Sequence, residues 1–252
     1  MLIGSHNAII AGSARGVAFD LWSQLRQRCK RGTWNFFIGS GRHETAVGGI
    51  SHGVTAMNNY VLVFYGSYRS NRMGIRLAEY IVKRLRHRGD DIELVDAKAI
   101  NLPMLDRMYK EYPKGEAPAT LDELARKIRA ADGFVFVTGE YNWGVQPGLK
   151  NLTDHFLEEW FWRPAGIVSY SGGRLSGARA ATAWHGTLSE MGMVVVSSTI
   201  AVGPISQTLS VEGEPVGEAG KALEASFPRF ADDLMWWVEA AKAQRQRRQR
   251  PY

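Results

Sequence analysis

From Tyr60 onward the chain switches repeatedly between short unbroken apolar runs and longer stretches with apolar residues three and four apart. Tyr60–Phe64 is an unbroken run, the pattern of a parallel strand buried on both faces. A glycine-containing turn follows. Ile75, Leu77, Ala78, Ile81, Val82 and Leu85 then recur at helical spacing up to Arg88, with Gly89 as the stop. Asp91–Asp96 alternates like a second strand, and residues 97–119, with Pro103, Pro113, Gly115 and Pro118, read as a loop. Leu121–Ala130 reads as a helix, with Thr120 as N-cap and Glu123 completing a capping box. Gly133–Thr138 is a third strand, and a helix runs from Gly148 to Leu157 behind Pro147. Ala165–Tyr170 is a fourth strand, Ala178–Met191 a helix, and Met193–Val196, extending toward Ala201, a fifth strand. The last helix spans Ala219–Ala243. Strand and helix alternating in this way predict an α/β fold, a parallel sheet with helices on both faces.

Residues 1–56 lack this rhythm. Glycine recurs there among few branched aliphatics, with one marginal helix from Val17 to Arg28. They read as a poorly structured extension ahead of a domain over 57–241, with Met57 as the expected natural start. Residues 242–252 read as a basic tail in solvent. Charge supports this division. The net +6 is concentrated at the ends, because residues 57–241 hold 20 basic against 23 acidic side chains. A folded nucleic-acid-binding face would carry the basic surplus itself, so no nucleic-acid partner is expected. The single cysteine, Cys29, excludes an internal disulfide and fits a reducing, cytoplasmic setting. No apolar run is long enough for a membrane span, and no metal site is expected.

Ligands of an open parallel sheet sit beyond the carboxyl ends of its strands. The turn after the first strand, Gly66-Ser67-Tyr68-Arg69-Ser70-Asn71-Arg72, leads into a helix N-terminus. Hydroxyls, guanidinium groups and unpaired backbone N–H groups there suit a phosphate, although the spacing is that of neither a Walker loop nor Gly-x-Gly-x-x-Gly. A plain solvated turn is the alternative. The turn after the third strand, Gly139-Glu140-Tyr141-Asn142-Trp143-Gly144, gathers polar and aromatic groups suited to a flat heteroaromatic ring. The turn after the fourth strand, Ser171-Gly172-Gly173, lets a ligand approach the backbone. His155, His185, Glu158-Glu159 and Asp232-Asp233 read as structural or solvated groups, and Met235-Trp236-Trp237 as core packing. Glu159-Trp160-Phe161-Trp162-Arg163-Pro164 reads as core or, preferably, a subunit contact.

These loops resemble those of the NADPH-dependent FMN reductases, which include quinone, azo-dye and chromate reductases. The family's Gly-Ser-x-Arg appears as Gly66-Ser67-Tyr68-Arg69. Its Pro-Glu-Tyr-Asn and Leu-Lys-Asn-x-x-Asp appear as Gly139-Glu140-Tyr141-Asn142 and Leu149-Lys150-Asn151-Leu152-Thr153-Asp154. Its Ser-x-Gly-Gly type loop appears as Ser169 to Gly173. The likeness covers residues 59 to 205. It implies a flavodoxin-like three-layer sandwich, with a five-stranded parallel sheet of order 2-1-3-4-5. It implies non-covalent FMN, NADPH or NADH as co-substrate, a small-molecule electron acceptor, and a homodimer or homotetramer. Ser67, Arg69 and Arg72 would hold the FMN phosphate. Gly139, Glu140, Tyr141 and Asn142 would line the isoalloxazine and ribityl chain, and Ser171 and Gly172 the pyrimidine edge. No protein group would be catalytic, since the flavin carries the chemistry. Gly139 departs from the family's proline, Arg72 from a common serine, and Trp143 from a smaller or imidazole side chain. A flavodoxin-like electron carrier and a non-catalytic regulatory module are the competing functions.

Overall fold

The computed structural model describes residues 58–252, which lie in the unit Val54–Tyr252. The expectations for residues 1–56 and for Met57 fall outside the described residues.

The strands are β1 (Tyr60–Tyr65), β2 (Asp91–Asp96), β3 (Gly133–Gly139), β4 (Pro164–Tyr170), β5 (Val194–Val195) and β6 (Ile200–Val202). All pair in parallel in the order β2-β1-β3-β4-β5, and β6 also pairs with β4. The expected order 2-1-3-4-5 is thus observed, with the fifth strand in two pieces. The break has a local cause. Ser198 N–H and Ser197 Oγ–H donate to Asp233 Oδ2 at 2.8 and 3.1 Å, which draws the chain off the sheet edge between the two pieces.

The helices are α1 (Gly74–Arg86), α2 (Ala97–Ile100), α3 (Ala119–Ala130), α4 (Pro147–Asp154), α5 (Ala178–Glu190) and α6 (Gly217–Arg247). Alternation along the strands splits the core into two layers. Val61, Val63 and Tyr65 of β1 pack with α1 and α6, whereas Leu62 and Phe64 pack with α3, α4 and α5. The second layer is built around Trp160, fully buried, with ring centroids 5.0 Å from Phe134 and 5.3 Å from Phe64.

Several local expectations are corrected. Residues 97–119 hold α2 and a single 3-10 turn at Tyr109–Glu111. Asp96 starts α2 by accepting the N–H of Lys98 at 3.1 Å. Thr120 lies inside α3, whose N-cap is Pro118, so the Thr120–Glu123 box does not form. Proline's fixed φ sets the helix entry two residues earlier. α4 stops at Asp154, and the chain re-forms as a 3-10 turn at Glu158–Trp160. Four of the six residues of the aromatic segment, Glu159, Trp160, Arg163 and Pro164, are buried in the chain's own interior, so most of it is core. Arg163 donates to the carbonyls of Ala131 (2.6 Å), Glu159 (3.0 Å), Phe161 (3.0 Å) and Arg129. Burial foremost, with Arg245 and Arg250 nearby, pushes its pKa down to about 10. Glu159 is buried, not solvated, and pairs with Arg129 at 2.7 Å. Trp236 and Trp237 are exposed; only Met235 of that trio joins the core. The basic end of the chain is not loose: Lys242 and Arg245 contact Asp132 at 2.7 and 2.9 Å, and the Tyr252 ring packs on Trp162 at 4.9 Å.

Candidate functional site

The carboxyl ends of β1, β3 and β4 meet in one open cleft. Its lining includes eight of the nine residues expected from sequence: Ser67, Arg69, Arg72, Gly139, Glu140, Tyr141, Ser171 and Gly172. Asn142 sits outside that lining, at the tip of the β3 turn. An apolar recess adjoins the cleft, sharing Arg69 and Tyr141 and reaching Leu102, Met104 and Pro147. A larger hollow lies between the start of β4 and the end of α6, at the amino ends of the strands. That end of a parallel sheet presents no strand-to-helix turns, so its size does not make it the ligand site.

The phosphate end is set by the turn from β1 into α1. Ser67 is buried, and its hydroxyl is 3.0 Å from that of Tyr141, which ties the first turn to the second. Gly66 packs against α4 so closely that a Cβ there would lie 2.2 Å from Leu149 Cβ. Among the described residues the N–H groups of Ser70, Asn71 and Arg72 donate to no protein acceptor. Such unpaired donors, with two arginines and two serines, fit the several oxygens of a phosphate monoester. The arginines differ. Arg69 is exposed with no ion pair among the described residues. Arg72 instead lies 2.5 Å from Asp96 Oδ1, donates to Ser67 O at 3.3 Å and covers the Tyr65 ring at 5.7 Å. Its hydrogen bond to Asp96 foremost holds its pKa above the usual value.

The floor is a buried polar chain. Tyr65 and Tyr170 hydroxyls are 3.2 Å apart, Gln146 Nε2–H donates to Tyr170 at 3.0 Å, and Thr138 donates to Gln146 at 3.2 Å. Burial raises both tyrosine pKa values, so both phenols stay neutral donors and acceptors at any ordinary pH. A Cβ on Gly139 would sit 2.7 Å from the Tyr170 ring. Gly139 in place of the family's proline therefore fits this tyrosine.

The side wall is a two-residue hairpin. Tyr141 and Gly144 exchange hydrogen bonds of 2.9 and 3.0 Å, and both residues between them are left-handed, Asn142 at φ 48° and Trp143 at φ 78°. The Glu140 side chain turns from the cleft to pair with Arg179 of α5. On the fourth side Ser171 Oγ donates to Gly173 O at 2.9 Å, and a Cβ on Gly172 or Gly173 would meet open space. Asp96, Tyr65, Tyr170 and Gln146 were given no role from sequence. Asp96, Tyr65 and Tyr170 carried a signal, each as the polar residue that ends a strand.

No helix among the described residues is long and apolar enough to cross a membrane. No group of three or more His, Cys, Asp or Glu is placed there to hold a metal. Comparison with known proteins gives the family. The chain is 32% identical over 124 residues to an NAD(P)H-dependent FMN reductase of Saccharomyces cerevisiae, covering 44% of this chain and 64% of that one. It is 37% identical over 119 residues to one of Schizosaccharomyces pombe, covering 44% and 58%. These alignments span under two thirds of either relative. Among solved structures, the flavoenzyme FerB, an NAD(P)H:acceptor oxidoreductase of Paracoccus denitrificans, superposes with a TM-score of 0.57 at 22% identity. That match covers 73% of this chain and 98% of FerB, and shows a common fold. The NADPH-dependent FMN reductase family model matches residues 59–207, more than half of the chain, and the protein belongs to that family.

Proposed function

We propose that this protein is an FMN-containing oxidoreductase that takes hydride from NADPH or NADH and passes reducing equivalents to a quinone, flavin, azo dye or similar acceptor in a ping-pong cycle. The observation that carries the reading is the convergence of three turns, from β1, β3 and β4, on one cleft with unpaired N–H donors at one end and a rigid hairpin at the other. Family membership gives the cofactor.

Ser67, Arg69 and Arg72, with the open N–H groups of the turn, hold the phosphate. Gly139, Glu140, Tyr141 and Asn142 line the ring and ribityl chain through backbone atoms, because the Glu140 carboxylate is committed to Arg179. Ser171 and Gly172 approach the pyrimidine edge. Bound FMN supplies the hydride-accepting ring; the protein supplies position and electrostatics. Two engaged and neutral tyrosines beneath the cleft offer no base, which fits a reaction that needs none. A homodimer or homotetramer and a cytoplasmic location are part of this proposal.

Absorbance of the purified protein after incubation with FMN and desalting is the first test, followed by NADPH oxidation with a quinone. Retained flavin and acceptor-dependent oxidation are expected. A protein that takes up no FMN would overturn the reading.

A further inference from the structure

Trp143 is placed where no packing demand explains it. It is 64% exposed, a poor position for a large aromatic side chain. It also occupies the second position of a two-residue hairpin at φ 78°, a left-handed conformation that favours glycine. A non-glycine residue held there stores strain, and such strain gathers at functional sites. The ring is nevertheless held. Arg179 lies over it at 4.6 Å, and Arg179 is itself fixed by the buried Glu140 carboxylate, which also accepts the Arg179 N–H at 3.3 Å. Arg179 covers one face of the indole, and much of its surface remains open to solvent. Glu140 and Tyr141, a few residues earlier on the same turn, line the cleft.

We propose that Trp143 is a specificity-determining plate on the hairpin beside the cleft, which favours flat aromatic electron acceptors over compact inorganic ones by stacking. The inference rests on the flavin-oxidoreductase reading and adds to it a residue that selects among acceptors. The arginine behind the ring fixes its plane, so little side-chain entropy is lost when a flat reactant settles on it. A compact, hydrated anion gains nothing from such a surface.

The test uses the FMN-loaded full chain and compares wild type with Trp143→Ala and Trp143→Phe, using a naphthoquinone and ferricyanide as acceptors. Loss of one aromatic stacking contact should raise KM for the naphthoquinone about tenfold in Trp143→Ala, with kcat and the ferricyanide rate within twofold of wild type. Trp143→Phe should restore KM to within about threefold. FMN affinity should not move in either variant. A naphthoquinone KM unchanged in Trp143→Ala would overturn the plate, as would an equal loss with both acceptors. If wild type itself bound no FMN, the failure would belong to the oxidoreductase reading, and the two outcomes are separated by the first spectrum.

Discussion

Replacing Arg72 should damage FMN binding more than replacing Arg69, although Arg69 is the freer of the two. The reason is Asp96. Arg72 Nη1 lies 2.5 Å from Asp96 Oδ1 and 3.3 Å from the carbonyl of Ser67, so the carboxylate stands close under the phosphate turn. Arg69→Ala removes one charge-assisted hydrogen bond, a loss of about 1.5–3 kcal/mol, or about 10–150-fold in Kd. Arg72→Ala removes a comparable bond and also leaves Asp96 facing a dianion. For the two phosphate charges at about 7 Å, with an effective dielectric of about 40 at this solvent-open turn, that repulsion is about 2 kcal/mol. The combined loss is about 4 kcal/mol, near 1,000-fold, and adding Asp96→Asn should recover about 30-fold of it. Asparagine keeps the cap on α2, so the double variant should fold as wild type does. Titration of apoprotein with FMN, followed by flavin fluorescence, measures all four proteins. The reasoning fails if Arg72→Ala weakens binding no more than Arg69→Ala, or if Asp96→Asn restores nothing.

Other predictions concern the scaffold. Trp160→Ala, which empties the centre of the lower aromatic cluster, should cost about 3–5 kcal/mol in chemical denaturation. Asp132→Ala strands the cationic ends of Lys242 and Arg245, all largely buried, and should cost about 3 kcal/mol; proteolysis should then cut the end of α6 sooner. Glu93 accepts from Lys127 at 2.6 Å and from Tyr60 at 2.7 Å. Burial acts to raise its pKa, but these two partners outweigh it and the value is lowered. A lowered folded pKa stabilises above the unfolded value and is lost as pH falls through the folded one. Glu93→Gln should therefore be less stable than wild type by about 1 kcal/mol at neutral pH, with the gap closing in acid; a gap independent of pH in thermal melts would refute this.

The sheet was legible because its central strands are apolar without interruption, and its helices because α1, α3 and α5 each bury one stripe. What escaped is what depends on partners distant in sequence. The split of the edge strand follows from Asp233 on α6, 35 residues after Ser198. Arg72 looked free beside the turn because its neutralising acid arrives through the pairing of β1 with β2, in which Tyr65 stands opposite Asp96. The hydroxyl chain beneath the cleft joins Tyr65, Gln146 and Tyr170 from three elements. Glu159 read as a solvated helix face and Arg163 as part of a subunit contact, yet each is buried with partners that sequence spacing cannot supply.

Taken together, these pairings give the cleft a polarity that no single motif carries. At the α1 end, Asp96 offsets Arg72, and Arg69 and the open N–H groups remain as net positive potential. At the hairpin end, Glu140 and Arg179 cancel each other, and the half-buried Tyr141 lines the cleft as an uncharged aromatic wall. A ligand with a dianionic head and an uncharged aromatic body has one favourable orientation along that axis. The reversed pose would place the phosphate beside a neutral wall and strip it of its donors, at a cost far above thermal energy. With FMN held as proposed, the placement of charge would orient the cofactor before any contact to its ring is made.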